Sequence, residues 1–441
     1  MKKLHNCTAI ELLSLLEDRK TTVEEISLAC INTINNKESR VRAWDYFDEN
    51  YVLKAAKKLD EKREANGILN TLYGIPIGVK DIFNTYDMPT SMGSEIWDGF
   101  EPGNDARVVH YIRENDGLIF GKTVTAEFAV HFLSADKTVN PHDSNRIPGT
   151  SSSGSAAAVA SNMVPLALGT QTAGSIIRPA SYCGVFGFKP TFGVVPRTGS
   201  LKTTDTLDTI GCFARSVDDI KLLFDVIRAK GSNYPYVKRN LDEYVEHGTK
   251  KIKIGVLLDG ILVFDSYKAY AIEGFYKYLD KLKMNNHLEI SQIKPSSDFN
   301  KIYDLHSLLY NKTLAYYFKN EFQNTDKISD IIKELIEIGN NISTDEYINA
   351  LTQQEIIRQN IEKELSLYDM VLTLSTAGEA PLIDENEIPD TCLIWTFLGM
   401  PTLNIPLFKG PNHLPYGLQV IGSRYSDYKI LDFAERILQK I

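Results

Sequence analysis

The stretch Arg146–Ala158, RIPGTSSSGSAAA, holds four serines and almost no side-chain volume between Gly149 and Ala158. A linker, a phosphate-binding loop and a catalytic serine loop all use this composition. Gly149 and Gly154 have the glycine spacing of a P-loop. That motif then needs Lys and Ser/Thr to hold phosphate and metal, and Ser155 and Ala156 stand there instead. The nucleophile elbow G-x-S-x-G also fails, because Ser153 occupies the place of its last glycine. A second small-residue run, GTQTAGS, ends at Ser175, 24 positions after Ser151. Backbone N–H groups in such a run can approach a ligand closely and stabilise an oxyanion, and a serine at its end is placed as a nucleophile. The same run also suits a tight strand–helix turn. Lys80 follows the apolar run Ile75–Val79. Burial would lower its pKa and make it a general base; pairing with Asp81 would make it an ordinary cation.

These residues need elements to position them. TAIELLSLLEDR opens with Thr8 and Glu11, a capping box, and carries Ile10, Leu13 and Leu16 at helical spacing; TVEEISLACINTI repeats the pattern from Thr22 and Glu25. A third helix is expected over 45–65, so that the chain begins with a helical part of about 65 residues. Beyond it, helices and strands alternate: a helix at DARVVHYIREND capped by Asp105, a strand at LIFGK, a small-residue helix at GSAAAVASNM, a strand at VPLALGT and a helix from Ser216. KIKIGVLL, DMVLTL, PTLNIPL and YGLQVIG read as strands, and YKILDFAERILQKI as the closing helix. This alternation predicts an α/β protein, a large mixed twisted sheet with helices on both faces. No repeat or linker divides it, so one domain over 1–441 is expected. The segment 265–365 reads as a mainly helical covering piece, least legible over 290–345, where Asn, Lys and Asp are frequent.

Hydrophobic residues are 43% of the 441, charged residues 24%, and the net charge is −9. That balance suits a soluble protein with a large core and disfavours binding to nucleic acid or anionic membrane. The mixed run KAAKKLDEKRE at 54–64 reads as a solvated helix face. Five cysteines without CxxC or Cys/His spacing predict neither a disulfide framework nor a zinc site. The N-terminus lacks the apolar core of a signal peptide, no window is apolar enough to span a membrane, and a cytoplasmic location is expected.

In order, GIPIGVKD, PGTSSSGSAAAVA and GTQTAGSIIRPA strongly resemble the amidase signature family. GKTVTAEFA, VNPHDSNRIPG, CGVFGFKPTFG, TLDTIGCFARSVDD, LGMPTLNIPL and LPYGLQVIG fall where that family has similar segments. The resemblance runs from about residue 8 to 435. It implies a Ser–cisSer–Lys triad with Ser175 as nucleophile, Ser151 as proton relay after a cis Thr150–Ser151 bond, and Lys80 as base. It also implies an oxyanion site at the N–H groups of Thr172, Ala173, Gly174 and Ser175. The reaction implied is amide hydrolysis through an acyl-enzyme, without metal or cofactor. Acyl or ammonia transfer to an amine, and a catalytically silent binding protein, are the alternatives. Ser152 is expected to bond the catalytic group, Ser153 and Ser155 to pack or cap, and Cys183 to be a buried structural thiol. Ala129, Val130 and Trp395 are expected to line a weakly polar substrate pocket, with a small-molecule amide as partner and a homodimer as the assembly to test. Four departures stand out: Thr150 replaces a glycine, Gln171 an aspartate, Ala173 a glycine, and Ile177 an arginine that here comes one residue later, as Arg178. The last puts the family's Asp–Arg pairing in question.

Overall fold

The computed structural model describes residues 2–67, 69–130, 137–231, 241, 251–324 and 326–439. The N-terminal part is α1 (Ala9–Glu17), α2 (Val23–Val41), β1 (Trp44–Phe47) and α3 (Glu49–Asn66). The capping boxes at Thr8/Glu11 and Thr22/Glu25 both form. The buried face of α1 is Ala9, Leu12 and Leu16, so Ile10 turns outward. Carboxylates from elsewhere complete the caps: Asp219 accepts from the Ala9 and Ile10 amides, and Asp60 from those of Val23 and Glu24. The run at 54–64 is a solvated face of α3. The strand β1 occupies the expected start of the third helix.

There follow β2 (Pro76–Lys80), α4 (Arg107–Glu114), β3 (Leu118–Thr123), α5 (Ser153–Ala160), β4 (Leu166–Gln171), α6 (Ile177–Cys183), β5 (Phe186–Lys189), β6 (Thr209–Ala214) and α7 (Val217–Ile227). Ala106, not Asp105, is the N-cap of α4; Asp105 instead accepts from the Tyr86 amide and meets Arg113 at 3.1 Å. Then come β7 (Ile252–Val256), α8 (Ala269–Lys283), β8 (Leu288–Gln292), α9 (Asp298–Tyr317), α10 (Asp330–Asn341), α11 (Thr344–Leu365), β9 (Met370–Leu374), α12 (Cys392–Phe397), β10 (Thr402–Lys409), β11 (Pro415–Ile421) and α13 (Asp427–Leu438). Residues 440–441, the expected end of the last helix, lie outside the described residues.

The strands form one mixed sheet in the order β1-β3-β2-β4-β6-β5-β10-β11-β9-β7-β8. Helices cover both faces. Every residue of β2, β3, β4, β6, β9 and β11 is therefore buried, and these strands read as near-continuous small or apolar runs. The edge strand β8 is largely open and polar, which kept it hidden in the sequence. β2 runs parallel to β4, with Val79 opposite Leu168, so Lys80 and Thr170 arrive at the same end of the sheet. Carboxyl ends of parallel strands are where open α/β sheets bind ligands.

A second, smaller core lies over that end. Phe128 and Val130 pack there with Leu314, Phe318, Ile328, Ile332 and Ile336. The Phe128 and Phe318 rings are 4.6 Å apart. The apolar stripes of α9 and α10 thus cover the site, which gives the polar 290–345 segment its place.

Candidate active site

Lys80 is fully buried at the end of β2. Its Nζ lies 2.8 Å from Ser151 Oγ, 3.0 Å from Ser152 Oγ and 2.9 Å from Thr170 Oγ1. Ser152 Oγ already donates to the Thr170 carbonyl and accepts from the Thr170 amide, so toward Lys80 it can only accept. A neutral amine offers two N–H groups and one lone pair, which matches three hydroxyl neighbours of which at least one must accept. Burial pushes the amine well below its ordinary value of 10.5, opposed by the charge of Asp208. Asp81 is not its partner: that carboxylate pairs with Lys122 at 2.7 Å.

The loop between β4 and α6 has its acceptors committed. His306 Nε2, from α9, lies 2.9 Å from the Thr172 carbonyl, and because a carbonyl only accepts, that nitrogen carries the proton. Thr396 Oγ1 donates to the Ala173 carbonyl, and the Arg178 amide to the Gly174 carbonyl. The Thr172 hydroxyl donates to Asp208 at 2.8 Å. Gln171 Oε1 accepts from the Ile176 and Ile177 amides, and its Nε2 donates to Thr396. The N–H groups of Thr172, Ala173, Gly174 and Ser175 meet no acceptor among the described residues. A loop pinned through its carbonyls with its amides left open can receive an anion. Gly174 is closely packed there: a Cβ would lie 2.9 Å from the Arg178 guanidinium and 3.2 Å from Cys392, so a side chain would press on the paired arginine.

The Thr150–Ser151 peptide bond, expected cis, is trans, the form favoured for a non-proline bond by about 2.5–4 kcal/mol. Ser151 reaches Lys80 without the cis bond. No direct hydrogen bond joins Ser151 to Ser175. The two segments are nonetheless adjacent. Gly149 sits so close to α6, at φ +102°, that a Cβ would be 2.6 Å from Pro179 Cα, and Thr150 Oγ1 accepts from Arg178 at 3.1 Å.

Ser175 opens onto a cavity of about 460 Å³, which Ala129, Val130, Thr172 and Ala173 also line. Gly174, between Ala173 and Ser175, is not among the lining residues. Trp395 is a correction: it is fully buried, packed edge-on against Phe299, and does not reach the cavity; its neighbour Leu393 does. Within α12 the Trp395 ring turns toward Phe299 of α9, and the smaller Leu393 side chain meets the cavity. Ser155 bonds Thr123 and the Leu168 carbonyl, Ser153 is buried, and Cys183 is a buried thiol against the Pro148 carbonyl, with its pKa raised by burial.

Arg178 resolves the pairing question. Its Nε lies 2.7 Å from Asp390 Oδ2, and its Nη1 2.6 Å from Glu387 Oε2. Sequence reasoning missed these two acids and the face of α9 formed by Tyr303, His306 and Tyr310, all of which border the cavity. The signal was there: aromatic and imidazole side chains at i, i+3 and i+7 in an otherwise polar segment. It also missed the backbone at Phe128 and Ala129. Both adopt positive φ, +49° and +58°, at the rim, a conformation that costs non-glycine residues about 1–2 kcal/mol each. Among the described residues no group of three or more His, Cys, Asp or Glu is disposed to hold a metal.

A family model described as Amidase matches residues 25–431. A glutamyl-tRNA(Gln) amidotransferase subunit of Natranaerobius thermophilus is 29% identical over all of this chain and 96% of its own length. A crystal structure of an amidase superposes with TM-score 0.87 at 27% identity, covering 97% of this chain and 98% of that one. The corresponding amidotransferase subunit of Thermotoga maritima superposes with TM-score 0.78 at 28% identity, covering 98% and 94%. With the buried lysine, the serine-rich loop and the open amides in the order that the motifs set out, the match over nearly the whole length establishes that the chain belongs to the amidase family.

Proposed function

We propose that this protein hydrolyses a carboxamide through an acyl-enzyme on Ser175. Ser175 Oγ attacks the amide carbon, and its proton passes through Ser151 to the neutral Lys80. The carbonyl oxygen becomes an oxyanion facing the N–H groups of residues 172–175. The proton returns along the same path to the leaving nitrogen, the C–N bond breaks, and ammonia or an amine departs. Water then attacks the acyl-enzyme by the same proton route, releasing the acid and restoring Ser175. No step asks for a metal or cofactor. The missing Ser151–Ser175 bond is consistent with a relay that tightens when substrate fills the cavity. The observation that carries this reading is Lys80, fully buried among three hydroxyls and well below its ordinary pKa.

We read the chain as one domain, cytoplasmic, acting on a small-molecule amide. A screen of primary amides scored by ammonia release tests the activity. Fluorophosphonate labelling that disappears in Ser175→Ala tests the nucleophile; a protein that neither labels nor releases ammonia would be a silent binding relative. Transfer of the acyl group or ammonia to an amine is the second reading, favoured by full-length likeness to proteins named as amidotransferase subunits. Hydroxamate formation with added hydroxylamine, exceeding hydrolysis, would select it.

A further inference from the structure

We infer that the cavity beside Ser175 takes an uncharged, apolar acyl group. Its substrates would then be carboxamides of apolar acids rather than amides bearing a free carboxylate or ammonium. The inference rests on the amidase reading for its chemistry, but its evidence is the cavity wall.

Among the described lining residues, Arg178 is the one guanidinium or ammonium group. A substrate carboxylate would need its N–H groups, and they are engaged. Nε lies 2.7 Å from Asp390 Oδ2, Nη2 3.3 Å from Asp390 Oδ1, and Nη1 bonds both Glu387 Oε2 at 2.6 Å and Thr150 Oγ1 at 3.1 Å. An incoming anion would compete with two carboxylates already in place and be repelled by them in a poorly screened site. A substrate ammonium fares no better against Asp390. That side chain is fully buried, and its oxygens serve Arg178 and the Cys392 amide. Glu387 is nine-tenths buried against the same guanidinium.

The charges at the wall thus satisfy one another, and drawing one toward a ligand would break a buried pair. Apart from the polar face of α9, with His306, Ser307 and Asn311, what remains for contact is mainly apolar: Val130 at the rim, Ile331 and Leu335 from α10, Ile388 from the chain leading into α12 and Leu393 from α12 itself. The cavity, about 460 Å³, is within the range of small-molecule sites, ~300–1,000 Å³. Apolar walls desolvate an aliphatic or aromatic acyl chain favourably and leave an ionic end group without water.

The test uses Ser175→Ala, so that binding is read without turnover. Calorimetry compares three amides of matched chain length: heptanamide, aminohexanamide with its terminal ammonium, and adipamic acid with its terminal carboxylate. Heptanamide is expected to bind at least tenfold tighter than either charged analogue. Equal or tighter binding of either analogue, or no binding of heptanamide, overturns the inference. Adding Glu387→Ala removes the acid at Arg178 Nη1. A tenfold gain for adipamic acid is expected, and no gain in a folded variant would overturn the argument from the paired carboxylates. Heptanamide that binds Ser175→Ala but is not hydrolysed by the unaltered protein would leave this inference standing and refute the amidase reading instead.

Discussion

If Lys80 acts as a neutral amine, both activity and stability must follow its protonation. Its folded-state pKa lies well below 10.5 because burial penalises the ammonium, with Asp208 pulling the other way. Below that value, kcat/KM should rise tenfold per pH unit and then level off, since only the unprotonated fraction works. Asp208→Asn deletes the charge that favours the ammonium, so the rise should move to lower pH. Lys80→Met keeps the volume without the base and should cost about a hundred- to ten-thousandfold. Stability provides an independent check. Between the folded value and 10.5 the unfolded chain holds one more proton than the folded one. The unfolding free energy therefore rises with pH in that window, by at most about 1.4 kcal/mol per pH unit, and levels above it. Lys80→Met lacks this contribution. The stability difference between unaltered protein and variant should therefore climb with pH, as measured by denaturant titrations at several pH values below 10.5. A flat rate profile, an upward shift in Asp208→Asn, or a pH-independent stability difference would refute the base assignment.

Three further outcomes follow from contacts at the site. His306→Phe keeps a ring against Tyr310 but loses the bond to the Thr172 carbonyl, and should lower kcat about tenfold or more with KM little changed; His306→Gln, which can still donate, should recover most of the loss. Gln171→Leu leaves the Ile176 and Ile177 amides without their acceptor and should destabilise by about 1–3 kcal/mol in denaturant unfolding. Gly154→Ala would place a Cβ 2.4 Å from the Val124 nitrogen and 2.5 Å from the Ala43 oxygen, backbone atoms that cannot step aside, and should lower stability by about 1–3 kcal/mol or more.

Legibility in the sequence followed the kind of constraint each residue is under. Lys80, Ser151 and the run to Ser175 stand in short segments whose residue types suit close backbone approach and hydroxyl chemistry; their spacing marked them as candidates, and the resemblance to the amidase signature family supplied their expected roles. The buried strands were legible because both faces are covered and the whole run must be small or apolar. Trp395 was misread because a buried ring in α12 and a pocket-lining ring have the same sequence signature; only the packing on Phe299 separates them. Glu387 and Asp390 were invisible because their partner Arg178 is 209 and 212 residues away in the chain. β8 carries an edge strand's polarity and so resembled loop. His306 and Tyr303 belong to a helix whose outer face is solvated, and that polar majority masked the inner face that meets the cavity.

Three of the four departures from the family pattern, Thr150, Gln171 and Arg178, belong to one hydrogen-bonded arrangement around the start of α6. Moving an arginine one residue along a helix swings it by about 100° around the axis. From position 178 the guanidinium reaches Asp390 and Glu387. One of its Nη1 contacts then falls on the preceding serine-rich loop, where Thr150 supplies a hydroxyl oxygen at 3.1 Å and a glycine would supply nothing. A buried donor deprived of its acceptor costs about 1–3 kcal/mol, so a threonine at 150 follows from the arginine at 178. Gln171 answers to the same helix start, accepting two of its amides through a neutral oxygen and placing no anion beside the N–H groups of 172–175. An aspartate could accept the same bonds, but it would add a negative charge at the start of α6, which would oppose an oxyanion if one forms at that loop as proposed. Thr150 thus ties the loop carrying Ser151, whose hydroxyl meets Lys80, to the helix following Ser175, the residue that faces the cavity.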